Sequence, residues 1–102
     1  MTVDSVLTRI DNDLPNAIER LKELLRIPSI STDPAFADHC QVAADWLVAD
    51  LESIGIKASK RQTPGHPMVV GHVDGDGPHV LFYGHYDVQP AGDEASWSTP
   101  PF

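Results

Sequence analysis

The sequence predicts an α/β chain, two helices followed by strands, on three observations. Apolar residues recur every three or four positions up to Ile54, the period shifts to two after Gly55, and Asp-Gly and Gly-Pro pairs punctuate the second half. Helices packed on a sheet are the layer arrangement that such an order supports. At 102 residues and 41% hydrophobic content, the chain suffices for one small unit, with no internal repeat, low-complexity tract or flexible linker.

The first helix rests on Val3, Val6, Leu7, Ile10, Leu14, Ala17, Ile18, Leu21, Leu24, Leu25 and Ile27, which form one stripe. Pro15 lacks an N–H and its ring collides with the carbonyl four residues back, so a kink or restart is expected near Asp13. The stripe ends before Pro28. A second helix follows from Asp33, which can cap free amides, and Pro34 at the first helical position. Phe36, Cys40, Ala43, Leu47, Leu51 and Ile54 make its buried face, and Gly55 can take the left-handed conformation that stops it. Cys40 lies on that face and reads as a core cysteine.

Beyond Gly55, "IKASKRQ" alternates Ile56 and Ala58 with Lys57 and Ser59, a half-buried strand with lysines suited to an exposed edge. "TPGHP" is a connector. "MVVGHVD" and "HVLFYGH" then read as two strands joined through Asp74-Gly75-Asp76-Gly77-Pro78 into a hairpin.

Composition narrows function. A formal charge of −8, from 15 acidic and 7 basic residues, opposes nucleic-acid backbones and anionic membranes, so neither is an expected partner. The single Cys40 can form no internal disulfide, no stretch approaches the roughly 20 apolar residues of a membrane span, and the N-terminus has no signal-peptide pattern. The expected compartment is the cytoplasm.

Two copies of one pattern carry the chemistry, "GHVD" at 71–74 and "GHYD" at 84–87. Residues i and i+2 of an extended chain face the same way, so either carboxylate can reach its histidine, fix the ring's tautomer and raise its basicity as a metal ligand. Spacing alone does not separate the copies. His72 and Asp74 run into the hairpin turn, where both residue types are ordinary. His85 and Asp87 follow the most apolar strand and precede a long irregular segment, at the carboxyl end of a strand, where open α/β sheets place ligands. The second pair is the candidate site.

The string "LFYGHYDVQP", with Trp97 and Pro100 to Phe102 after it and "LLRIPSIST" at 24–32 before it, closely resembles the zinc-dependent dipeptidase and aminoacylase superfamily, nearest its carnosinase-like dipeptidase branch. The resemblance runs through nearly the whole chain. It implies that residues 1–102 are the N-terminal part of a larger three-layer catalytic domain, with the two helices on a mixed β-sheet. It implies a metal ligand at His85 and, at Asp87, the catalytic-site aspartate that orients that ligand. In the family, two zinc ions, replaceable by manganese or cobalt, polarise an amide carbonyl and activate a bridging water while a glutamate acts as base.

The implied activity of the whole protein is hydrolysis of dipeptides or short peptides, with N-acyl amino acid deacylation as the alternative within the superfamily. A third reading is a non-catalytic scaffold that only associates. Because a zinc site draws three or four protein ligands and one candidate is present, the chain alone is expected to be inert. Its end at "STPPF" reads as a truncation, the remaining ligands and a dimerisation domain belonging to the missing part. Exposed apolar surface and a tendency to associate are expected in consequence.

Other residues take plainer readings. His39 has no second ligand at helical spacing and reads as a surface histidine, and His66 and His79 as solvent-exposed ones. Trp97 is expected to anchor the loop against the sheet, and Asp93 and Glu94 to be solvated loop charges.

Overall fold

In the computed structural model, which describes residues 1–102, helix α1 spans Val3–Leu25. A reciprocal cap starts it: Thr2 Oγ1 accepts from the Ser5 amide and Ser5 Oγ from the Thr2 amide, each at 3.1 Å. The helix runs through Pro15 without a break, where the sequence predicts a kink or restart near Asp13. The lost hydrogen bond is carried by the intact turns on either side, since adding each further helical bond is easy once the helix is nucleated. None of its residues is buried. It reaches the second helix through Trp46 Nε1, which donates to Glu23 Oε2 at 3.3 Å, and an Arg20–Asp50 ion pair at 3.4 Å. Exposed links of this kind contribute little.

Asp33 Oδ1 accepts from the Ala35 amide and opens a 3₁₀ turn over Pro34–Phe36, which leads into helix α2, Ala37–Ser53. The α-helix thus starts one turn later than Asp33 and Pro34 suggest. Cys40, Ala43 and Ala44 are its buried residues; Phe36, Leu47 and Leu51 are half-buried and Ile54 is exposed. The helix stops at Gly55, whose φ of 86° is the left-handed conformation that only glycine adopts cheaply.

Strands β1, Lys57–Arg61, and β2, Met68–His72, pair antiparallel with Lys57 opposite His72 and Arg61 opposite Met68. Helix α2 packs on this sheet. Lys60 shares the half-buried face of Ala58 and pairs with Asp45 of α2 at 2.7 Å, so it is not an edge lysine in open solvent. Gly71 lies against the helix side: an added Cβ would meet Ile56 Cγ2 at 3.0 Å and Leu51 Cδ1 at 3.5 Å.

The predicted third strand does not form. Residues 79–83 belong to no strand, and Val80, Leu81, Phe82 and Tyr83 are 80–94% exposed. The physical reason lies in the run itself. Consecutive apolar residues point to both faces of a strand, and such a strand gains from pairing only where both faces are covered. Here α2 covers one face of a two-stranded sheet, and no layer lies on the other. An unforeseen parallel bridge, Ile30 with Val88, ties the segment between the helices to the chain after residue 85.

The dimensions agree with an open structure. A compact chain of this mass exposes about 5,700 Å² and has a radius of gyration of about 13 Å; this one exposes 8235 Å² with a radius of 16.4 Å. Six residues are buried, Ser29, Ile30, Cys40, Ala43, Ala44 and Pro67.

The packing leads to two measurable expectations. Gly55→Ala is expected to cost about 1–2 kcal/mol in chemical denaturation, although the new Cβ would meet nothing within 4 Å; an unchanged midpoint would mean the helix ends differently. An apolar fluorescent dye should bind the native chain, and Leu81→Ser with Phe82→Ser should lower that signal. A dye-silent, sharply two-state monomer would contradict the open surface.

Candidate functional site

Two short segments, 28–31 and 85–88, build the site. Pro28 opens the first, and the Ser-Ile-Ser that follows alternates polar and apolar positions. Ile30 turns into the interior at 4% exposure, while the serines on either side bond to the second segment. Ser29 Oγ donates to the Tyr86 carbonyl at 3.0 Å, and the Val88 amide donates to the Ser29 carbonyl at 3.0 Å. Ser31 Oγ donates to Asp87 Oδ2 at 2.6 Å. Tyr86 is anchored by its hydroxyl, which donates to the Pro67 carbonyl at 2.6 Å.

Asp87 has both carboxylate oxygens engaged, Oδ2 by Ser31 and Oδ1 by His85 Nδ1 at 2.7 Å. These bonds hold its carboxyl below the usual aspartate range, the Ser31 hydroxyl contributing most and the His85 bond next, against a smaller opposing effect of burial. An ionised carboxylate only accepts, so His85 Nδ1 carries the proton and donates. In the neutral ring Nε2 then holds a free lone pair. The His85 side chain is 76% exposed, so that nitrogen is accessible.

Two weak acids stand beside this carboxylate. Burial and then the Asp87 charge push the Cys40 thiol up, which keeps it protonated and unreactive at neutral pH. Burial, followed by Cys40 and Asp87, raises the Tyr86 phenol, consistent with its role as a donor to Pro67.

The other histidine–aspartate copy also pairs, His72 Nε2 with Asp74 Oδ1 at 2.9 Å. The i, i+2 spacing therefore brings ring and carboxylate together in both places. The supports differ: Asp74 is 99% exposed and has no second partner. The nitrogen engaged differs too, leaving Nδ1 rather than the outer Nε2 free at His72. His79 meets the His72 ring edge-on at 5.6 Å.

The donors present suit one corner of a divalent metal site. A histidine with Nε2 open and Nδ1 on a carboxylate is a common metal-ligand arrangement. No group of three or more His, Cys, Asp and Glu converges in the chain, so these residues alone do not close a zinc shell.

No protein-family model matches the chain. Among individual proteins, the Cys-Gly metallodipeptidase dug1 of Schizosaccharomyces pombe is 33% identical over 114 aligned positions, spanning 100% of this chain and 24% of the relative. A cysteinylglycine-S-conjugate dipeptidase of Corynebacterium striatum is 35% identical over 81% of this chain and 19% of its own length. The solved structure of the dipeptidase Dug1p from Saccharomyces cerevisiae superimposes with a TM-score of 0.81 at 31% identity, over 98% of this chain and 24% of that one. Along its length the chain is similar to metallodipeptidases. It spans about a quarter of the length of the relatives it matches, so it is similar to a segment of a metallodipeptidase rather than to a whole one.

Several residues can be set against the sequence reading. His66 is half-buried, and its Nε2 donates to the Ser31 carbonyl at 2.8 Å. Ser29, Ser31 and Tyr86 escaped notice as site residues; the signal was the Ser-x-Ser spacing at 29–31, which matches the His-x-Asp spacing at 85–87. His39 and His79 are exposed, His39 with its ring 5.7 Å from Phe36. Trp97 bonds within its own loop, Nε1 donating to the Ala91 carbonyl, and Asp93 caps a 3₁₀ turn at Glu94–Ser96 instead of standing free.

Asp87 makes stability depend on pH. A carboxyl whose folded value is depressed stabilises the fold above its unfolded value, about pH 4, and that stability disappears as pH falls through the lower folded value. Urea midpoints of the native chain and Asp87→Asn should differ at neutral pH and converge in acid. A constant gap down to the acid transition would mean the carboxylate is not stabilised by these bonds.

Proposed function

We propose that the chain is the part of a dipeptide-cleaving metalloenzyme that contributes one metal ligand, His85 through Nε2, with Asp87 orienting the ring. The observation that carries this reading is the pairing of His85 Nδ1 with an anchored carboxylate, which leaves Nε2 bare and exposed. Similarity to metallodipeptidases along the chain supports the activity, and the relatives named for Cys-Gly and cysteinylglycine conjugates support a small dipeptide as substrate. A metal is implied by those names. Zinc suits an imidazole nitrogen, and two ions would share the scissile carbonyl and the attacking water in the whole protein.

The chain's own part in that chemistry is limited and definite. Asp87 keeps the His85 proton on Nδ1, so the ring offers a lone pair without first losing a proton. The other ligands, the general base and any dimerisation surface belong to the remaining length of such a protein. The segment by itself is expected to be inactive, since a zinc site draws three or four protein ligands and His85 is one. The acidic balance of the chain excludes an anionic polymer as substrate better than it selects among dipeptides. No helix is long and apolar enough to cross a membrane.

Calorimetric titration with zinc tests the ligand. The chain should bind weakly, in the micromolar range or above, and His85→Ala should remove that binding while His72→Ala leaves it. In the longer protein that carries the segment, hydrolysis of Cys-Gly should be abolished by a chelator and by His85→Ala, and Asp87→Asn should reduce metal affinity about 10–100-fold. Binding or hydrolysis that survives His85→Ala would overturn the assignment.

A further inference from the structure

We infer that Ser31 is a positioning residue for His85: its hydroxyl locks the Asp87 carboxylate so that the imidazole is held as the Nδ1–H tautomer with Nε2 outward. The inference rests on the reading of His85 as a ligand and adds a residue and a mechanism to it. A carboxylate bonded through one oxygen still turns about Cβ–Cγ, a broad two-fold torsion. Asp87 does not have that freedom. Oδ1 holds His85 Nδ1 at 2.7 Å and Oδ2 holds Ser31 Oγ at 2.6 Å, and the second donor comes from a segment 56 residues earlier in the chain.

Ser31 is itself fixed from the other side. His66 Nε2 donates to its carbonyl at 2.8 Å, which requires the proton on that nitrogen because a carbonyl only accepts. Thr63 Oγ1 in turn donates to the His66 carbonyl at 2.7 Å. The neighbouring Ile30 is buried and bridged to Val88. Orientation therefore passes from the 63–66 connector through Ser31 and Asp87 to the free nitrogen of His85.

The same molecule supplies the comparison. His72 and Asp74 share the spacing and the ring–carboxylate bond, yet Asp74 is 99% exposed, has no second donor, and holds the ring by Nε2 instead. What the 85–87 pair has and the 72–74 pair lacks is the serine.

The test uses the 102-residue chain with ¹⁵N-labelled histidine, observed by long-range ¹H–¹⁵N correlation. His85 should be predominantly Nδ1–H in the native chain. Ser31→Ala should move it toward a mixture of tautomers and weaken zinc binding about 10-fold, the lower end for loss of an outer-shell partner. Ser31→Thr should restore both. Ser31→Val has the shape of the threonine variant and lacks only the hydroxyl, so comparing these two decides the matter even where alanine disturbs the fold; the β1 and β2 amide signals report that. An unchanged His85 tautomer in both the alanine and valine variants, or a threonine variant that behaves like the valine one, overturns the inference. Zinc binding indifferent to His85→Ala, with the tautomer still shifting on loss of the hydroxyl, would instead sink the ligand reading and leave the positioning of the ring by Ser31 intact.

Discussion

The Asp87 carboxylate is the constraint on which the site depends. One oxygen takes the His85 ring and the other takes Ser31, so two segments far apart in sequence are joined at a single charged group. Hydrogen bonds to an ionised acceptor are about twice as strong as neutral ones. That matters in a chain with few buried residues. The contacts around it, Ser29 with Tyr86 and Val88 and Tyr86 with Pro67, line up the two segments so that the carboxylate falls between its donors.

The interior that supports this arrangement is small. Cys40, Ala43 and Ala44 put little volume on the inner face of α2, and Ser29, Ile30 and Pro67 are the other buried residues. Those last three belong to, or directly hold, the segments that form the site. Elsewhere the chain is open: α1 buries none of its stripe and residues 80–83 have no partner strand. Order is concentrated where the histidine is presented.

This distribution suits a chain that matches about a quarter of its relatives' length. The apolar run just before His85 has faces that call for layers on both sides, and the histidine offers one donor where a metal shell needs several. Both features are incomplete in the same sense. Each is locally well formed and each calls for contacts that these 102 residues do not supply. The match to a quarter of the relatives' length accounts for that state without any defect in the local structure.

Local rules made a good part of the protein legible from its residues. The stripe of α1, the Asp33–Pro34 start, the stop at Gly55 and the buried Cys40 all follow from spacing, caps and backbone preference, which act within a few residues. The reach of Asp87 to His85 follows from the i, i+2 geometry of extended backbone, and the same rule produced the His72–Asp74 pair with equal force. Tertiary structure alone decided which of the two carboxylates gained a second anchor. Ser31 reaches Asp87 across 56 residues and His66 reaches Ser31 across 35, separations that no period in the sequence encodes. It also decided that Val80 to Tyr83 stay unpaired, since whether an apolar run forms a strand depends on what covers its two faces and not on the run itself.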